Sequence, residues 1–419
     1  MNSSTIFLNN FFSKADKKKE GIFFSPIPII KTLIDKVKSY ITDIPIEILE
    51  PSCGSCEIID YLQINGYHES NIDAIEYNKI IFDNILEIHR NNVNYININY
   101  MHYDIENHKK YDLIIGNPPY FVISIKDIPF HFIGKSEDEK YFEGRPQIFI
   151  IFLFHSLHKL KTGGILAFIL PKSIMNSQYY KKMRQYIYDN YELLEIIDFS
   201  NIQFEDTTQE TIGIIIRNNK INNNINQINN PYIFIINDNI IWTMYKNELI
   251  EIYKNATSLY MLGFSVKTGP VTWNEHKDKL TDNIKDSLLI YNTNINNNKL
   301  VIKNFKNDEK KQYIQYDGKS ESLPIIVCNR GNGNSKYKLN FCYIDEDYIK
   351  NKGIKSVVIE NHLNVIYHKT ANTKDKINMM KKIVNQLNNN KNVQKWCDLF
   401  LGNNGFSKTE LEHYFPIYL

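Results

Sequence analysis

One stretch of the chain combines residue types that could make a nitrogen atom more nucleophilic: Asp112-Leu-Ile-Ile-Gly116-Asn117-Pro118-Pro119-Tyr120. An apolar, strand-like run leads straight into two prolines. Each proline fixes φ and removes a backbone donor, and the residue before each is held out of the helical region. The result is a stiff loop at the carboxyl end of a strand, where open α/β sheets bind their ligands. Its free acceptors are the Asn117 side-chain oxygen and the Pro118 carbonyl, which together can hold both hydrogens of one planar amino group. Drawing on both N–H bonds localises the nitrogen lone pair. Tyr120 offers a flat face on which the ring carrying that amino group can stack.

A second loop, Glu50-Pro51-Ser52-Cys53-Gly54-Ser55-Cys56, follows the apolar run ending at Leu49 and precedes a helical pattern. Gly54 lets backbone approach a ligand closely. Cys53 and Cys56 form a C-x-x-C, but two further ligands at zinc spacing are missing and so is a thioredoxin-like context. They are expected to be packing thiols, and no metal is expected. Glu76 ends another apolar run, and a carboxylate at a strand end suits the two hydroxyls of a ribose. Asp104 follows the run 98–103, ahead of the proline loop.

Asn-Pro-Pro-Tyr after a strand resembles the hallmark of amino-group methyltransferases that use S-adenosyl-L-methionine, above all the N6-adenine DNA methyltransferases. The resemblance extends motif by motif over residues 21–217. It implies a cofactor loop at Glu50, Ser52 and Gly54, with Cys56 where a second glycine is usual. It implies Glu76 on the ribose, and Asp104 with Ile105 at the cofactor's adenine. Gly21-Ile-Phe-Phe24-Ser25-Pro26 looks like the family's N-terminal cofactor motif, with Ser25 for the usual Thr and able to cap the helix that follows. Asn117 and Pro119 are expected to contact cofactor as well as substrate. Phe204 sits where the family sets an aromatic against the target base, beside Tyr120. A core residue capping the sheet is the other reading of Phe204. The implied reaction is methyl transfer to adenine N6 in double-stranded DNA, by base flipping and direct displacement. Asn117 favours adenine over cytosine N4, and RNA or protein-glutamine methylation and a non-catalytic DNA-binding scaffold remain alternatives.

The supporting elements follow from periodicity. Short Ile-rich runs at 46–50, 72–76, 98–103, 112–116, 164–170, 193–199 and 211–217 suit strands buried on both faces. Segments 80–92 and 147–161 between them suit crossover helices, the latter ending at Gly163-Gly164. The expected fold class is α/β: a Rossmann-like class I methyltransferase sheet of about seven mainly parallel strands, plus a C-terminal mixed α/β target-recognition domain. The Asn-rich stretch 218–231 marks a linker, giving a catalytic domain over 1–230 and a DNA-binding domain over 231–419.

Charge supports that division. Residues 1–220 carry 23 Lys+Arg against 28 Asp+Glu, and residues 221–419 carry 26 against 19. A basic second half invites a polyanion. Candidate DNA contacts are Lys267, Trp273, Asn274, His276, Lys277, Arg330 and Asn332, since Arg and Lys can pair guanine and Asn can pair adenine. With no apolar run long enough for a bilayer and five scattered cysteines, no membrane contact and a reducing, cytoplasmic setting are expected, bacterial or that of a phage or viral host. The expected partners are double-stranded DNA and a cognate restriction endonuclease as a separate chain, with the protein itself acting as a monomer.

Overall fold

The computed structural model describes residues 1–103, 108–124, 126, 128, 146–202, 204, 209–219, 229–303, 305, 309–330, 339–370, 373–400 and 407–419. It divides into two compact units, Met1–Lys246 and Asn247–Leu419.

In the first unit, helices α1 (Ser3–Phe11), α2 (Lys14–Glu20) and α3 (Ile27–Val37) precede a sheet. The sheet and its crossovers run β1 (Glu47–Glu50), α4 (Glu57–Leu62), β2 (Asn71–Ile75), α5 (Lys79–Leu86), β3 (Val93–Ile96), β4 (Tyr111–Gly116), α6 (Ile148–His158), β5 (Leu160–Pro171), α7 (Lys181–Asn190), β6 (Glu192–Asp198) and β7 (Thr211–Arg217). The spatial order is β3-β2-β1-β4-β5-β7-β6. Strands β3, β2, β1, β4 and β5 pair in parallel, and β7 is antiparallel to both its neighbours. That seven-stranded order, mainly parallel with one antiparallel strand inserted, is the α/β sheet expected from the sequence.

Both faces of this sheet are apolar, as parallel strands under helices require. Leu49, Ile114, Leu166 and Ile214 join one core with α6. Ile48, Leu113, Ala167 and Ile215 join the other with α3 and α4. The strand period of two thus feeds both layers from the same short runs. On α3, Ile29, Ile30, Leu33, Ile34 and Val37 form one buried stripe. Helix α6 is buried almost all round, so it reads as a continuous apolar run without a polar face.

Three expectations are corrected. The run 98–103 is not a strand: β3 lies at Val93–Ile96, and Asn99 caps a short helical turn over Tyr100–His102, accepting from Met101 N at 3.0 Å. Tyr100 and Tyr103 turn into the core there, which gives a non-strand segment a strand-like composition. Helix α6 stops at His158 rather than at Gly163-Gly164, which lie inside β5; Gly163 N donates to Asn218 O at 2.8 Å at the end of the β5–β7 pairing. The boundary between units falls after Lys246, not 230. A hairpin of β8 (Ile233–Ile236) and β9 (Asn239–Trp242) buries Ile233, Ile240 and Trp242 in the first core. Fully buried Arg184 on α7 latches it, donating to Ile240 O at 2.7 Å and to the Ile174 and Ser177 carbonyls at 2.8 and 2.9 Å.

The second unit is mixed. One four-stranded antiparallel sheet runs Phe264–Thr268, Leu363–His368, Ile325–Asn329, Phe341–Ile344. Another contains Leu280–Thr281, Tyr313–Ile314, Ser287–Ile290 and Val357–Ile359. Helices Lys374–Asn389, Lys391–Phe400 and Lys408–His413 follow.

Arg184→Ala is expected to lower the unfolding free energy of the first unit by about 3 kcal/mol, since three buried carbonyls lose their donor. Denaturant unfolding measures this, and limited proteolysis should cut faster within 233–242. An unchanged midpoint would show that the hairpin holds without the latch.

Candidate active site

The site is built at the carboxyl ends of β1, β2 and β4. Strands β1 and β4 are adjacent in the sheet but far apart in sequence, so the chain runs outward on opposite sides and leaves a crevice between them. Two contacts hold the loops together. Gly116 lies against Pro51, whose Cδ would be 3.3 Å from a Cβ at 116. The Ser52 hydroxyl donates to Asn117 O at 3.2 Å.

The loop after β1 lies against the segment that carries Phe24. Gly54 has φ +52°, and a side chain there would face the Phe24 ring at 3.6 Å. Cys56 also has a left-handed φ of +61° and forms the start of α4. The glycine usual at this position would meet that backbone demand without strain; Cys56 meets it at a cost of about 1–2 kcal/mol. Cys53 and Cys56 are buried free thiols, and burial pushes the Cys53 thiol well up. Among the described residues no cluster of three or more His, Cys, Asp or Glu could hold a metal.

Two acids dominate the electrostatics. Glu76 is 8% exposed and accepts from Gly54 N at 3.0 Å and Asn78 N at 2.7 Å. Burial raises its carboxyl to about 7, although those backbone donors oppose the rise. Glu50 is 1% exposed, and its Oε2 has no hydrogen-bond partner among the described residues. Burial pushes it well above the usual carboxylate range, with Arg90 opposing. These groups fit an adenosyl cofactor. Each Glu76 oxygen keeps a lone pair for a ribose hydroxyl, and the unpaired Glu50 oxygen complements a cationic or N–H donor. Asp104 and Ile105 lie outside the described residues.

Asn117 follows β4 directly. Its Nδ2 donates to Phe23 O at 3.2 Å and to Ser25 Oγ at 3.1 Å. The Tyr120 hydroxyl lies 2.5 Å from Asn117 Oδ1 and 2.8 Å from Ile169 O. The oxygen expected to be free therefore already has a neighbouring donor. Ser25 does not cap α3, whose N-cap is Pro26 with no side-chain bond; its hydroxyl is turned to Asn117 instead. Burial pushes the Tyr120 phenol well up, so it stays a neutral donor. Its ring meets Phe149 edge-on at 5.9 Å. Pro119 packs close to Gly21, the left-handed end of α2.

Phe204 is 5% exposed and belongs to the other apolar layer, across a small cavity from Phe23 and Phe24. Among the described residues no ring contact joins it to Tyr120. Its burial is what the core-capping reading expects, and a base-stacking role for Phe204 belongs to the proposal below. Sequence reasoning missed the Phe23 carbonyl and Ile169 carbonyl, since backbone groups leave no mark in residue type.

In the second unit, Trp273, Asn274, His276 and Lys277 share two short helical turns, Trp273–Glu275 and Lys277–Lys279. Lys310, also missed, stands 4.4 Å from the Trp273 ring centre, and Lys277 stands 5.6 Å away. Lys277 pairs with Glu309 at 3.1 Å. Lys267, on the strand Phe264–Thr268, pairs with Glu321 at 2.7 Å. Arg330 is exposed after the strand Ile325–Asn329, and Asn332 lies outside the described residues.

Residues 27–204 match the family described as Eco57I restriction-modification methylase. The chain is 30% identical over 212 residues to modification methylase CviBIII of Paramecium bursaria Chlorella virus NC1A, covering 49% of this chain and 52% of that protein. It is 31% identical over 229 residues to type II methyltransferase M.AccI of Acinetobacter calcoaceticus, covering 51% and 39%. It thus spans about half or less of the length of these curated relatives. A solved type I restriction-modification methyltransferase subunit from Streptococcus thermophilus superposes with a TM-score of 0.43 at 18% identity, covering 59% of this chain and 56% of that one. No helix among the described residues is long and apolar enough to cross a membrane.

Both site carboxyls are shifted upward, so the folded protein holds protons that the unfolded chain releases above about pH 4.5. Stability is full below that pH and falls as pH rises toward 7, the value to which Glu76 is raised. Glu76→Gln should reduce the slope of unfolding free energy by ~1.4 kcal/mol per pH unit between pH 5 and 7. Denaturant unfolding at pH 5, 6 and 7 reads this. An unaltered slope would mean that Glu76 titrates normally.

Proposed function

We propose that this chain, whose residues 27–204 match the family described as Eco57I restriction-modification methylase, is a DNA methyltransferase that transfers a methyl group from S-adenosyl-L-methionine to adenine N6 in double-stranded DNA. The observation that carries this reading is the Asn117 carboxamide, held at the end of β4 beside the crevice bounded by Glu50, Gly54 and Glu76.

The cofactor supplies an electrophilic methyl on a sulfonium. Glu76 would hold its ribose, Gly54 would let it lie against backbone, and Glu50 would answer a positive or N–H group on it. Asn117 Oδ1 and the Pro118 carbonyl would accept the two hydrogens of the adenine amino group. An amide oxygen has two lone pairs, so Oδ1 can take a substrate N–H beside the Tyr120 hydroxyl. That hydroxyl has one proton and two acceptors in reach, Asn117 Oδ1 and Ile169 O. The adenine must leave the duplex, at a cost of a few kcal/mol, which stacking on Tyr120 and on Phe204 helps to offset. Alignment of nitrogen and methyl then dominates the rate. The proton leaves the cationic amine product afterwards, and no side chain is assigned as its acceptor.

The second unit would bind the duplex. The basic balance of residues 221–419 supports this, as does the Trp273, Lys277 and Lys310 cluster. A separate restriction endonuclease as partner, action as a monomer and a cytoplasmic setting belong to the same proposal.

Asn117→Ala should lower the methyl-transfer rate at least ~100-fold, the loss typical of an electrostatic acceptor or donor aimed at developing charge. Cofactor affinity by calorimetry should stay within tenfold. Equal loss of both would assign Asn117 a structural role. DNA affinity should fall steeply between about 50 and 200 mM salt. Salt-independent binding would remove the second unit from this role.

A further inference from the structure

We propose that Ser25, together with the Phe23 carbonyl, is a positioning element for the reaction: it selects which end of the Asn117 carboxamide meets the target amino group. This rests on the reading of Asn117 as the acceptor, and it gives the segment 23–25 a role beyond holding cofactor.

Hydrogen-bond polarity fixes which way the amide lies. A backbone carbonyl only accepts, so the Asn117 atom 3.2 Å from Phe23 O must be the amide nitrogen. Ser25 Oγ, at 3.1 Å, takes the second hydrogen of the same nitrogen. Both N–H bonds are then used, and Oδ1 is forced to the opposite side, where the Tyr120 hydroxyl meets it at 2.5 Å. A flipped amide would set its oxygen against the Phe23 carbonyl and turn its N–H bonds toward the target. An N–H pair facing an amino group repels its hydrogens and cannot raise its nucleophilicity.

The clamp is itself anchored. Gly21 ends α2 in the left-handed conformation at φ +69°. A Cβ there would sit 2.9 Å from Phe121 and 3.0 Å from Pro119, so this end of the segment is pressed against the proline loop. Phe24 stacks over Gly54 of the cofactor loop. Successive residues of 23–25 thus face different loops, with Phe24 against the cofactor loop and Phe23 O and Ser25 Oγ against Asn117. The segment bridges the two loops, and its hydroxyl is part of the acceptor's geometry.

The test compares Ser25→Ala with Ser25→Thr, which keeps the hydroxyl. Unmethylated plasmid DNA and cofactor carrying a labelled methyl give single-turnover rates. Calorimetry gives cofactor affinity. The Asn117 side-chain amide, identified in 15N-asparagine-labelled protein by its loss in Asn117→Ala, reports the clamp directly in the free protein. Ser25→Ala should slow methyl transfer about tenfold, keep cofactor affinity within twofold and speed exchange of the Asn117 amide hydrogens at least fivefold. Ser25→Thr should restore all three to near the native values. If Ser25→Ala weakens cofactor binding by the same factor as the rate, Ser25 acts on the cofactor and the proposal is overturned. An Asn117 amide signal indifferent to Ser25→Ala overturns it as well. Should the native protein fail to methylate DNA, the functional reading falls, while the amide signal still decides whether the clamp exists.

Discussion

The first unit depends at its site on a constraint of hydrogen-bond sign. A side-chain amide has one accepting and one donating end of nearly equal shape, and packing alone distinguishes them poorly. Phe23 O removes that ambiguity because a carbonyl cannot donate. The consequence reaches back through the fold. Segment 21–26 must cross both loops, so α2 must end at Gly21 and α3 must begin just after Ser25, at Ile27 behind its Pro26 cap. The sheet must also set β1 beside β4, because only that neighbourhood brings Gly116 against Pro51 and Ser52 against the Asn117 carbonyl.

The same neighbourhood concentrates electrostatic cost. Glu50 and Glu76 end adjacent strands, and both are buried. A buried carboxylate is stabilised by backbone donors only if they are aimed at it. Glu76 has backbone donors from Asn78, Gly54 and Tyr77, yet burial still wins and its carboxyl rises to about 7. Glu50 has an orphan oxygen and is also pushed well above its ordinary range. Such groups reduce the stability of the free protein at neutral pH. A ligand rich in hydroxyl and N–H donors relieves that cost, so binding energy is held in reserve by the fold itself.

Much of this is legible in the residues. Six of the seven sheet strands are marked by Ile-rich runs, because buried parallel strands need apolar side chains on both faces. The proline loop and the cofactor loop are legible because proline and glycine carry backbone geometry in their identity. Failures have matching causes. The run 98–103 imitates a strand because Tyr100 and Tyr103 are core residues of a turn. The hairpin 233–242 reads as part of the wrong unit because its apolar residues do not say which core they enter. Ser25 looks like a helix cap, since sequence position alone favours a cap over a partner 92 residues away. Phe204 reads in sequence as either a stacking face or core, because an aromatic ring next to a cavity serves both.

The second unit is read from charge, and its ion pairs refine which charges can meet a polyanion. Lys267 pairs with Glu321, whose side chain is only 4% exposed. Drawing Lys267 onto a phosphate would strand a buried carboxylate, which is strongly unfavourable. Lys277 pairs with Glu309, and both side chains are about half exposed. An exposed pair of this kind contributes ~0–1 kcal/mol, so exchanging Glu309 for a phosphate costs little. The Trp273 ring beside Lys277 and Lys310 adds a flat surface next to that exchangeable charge. The two lysines therefore differ in kind. Lys267 is tied to the unit's own sheet by a buried partner, whereas the Lys277–Glu309 pair can open at little cost.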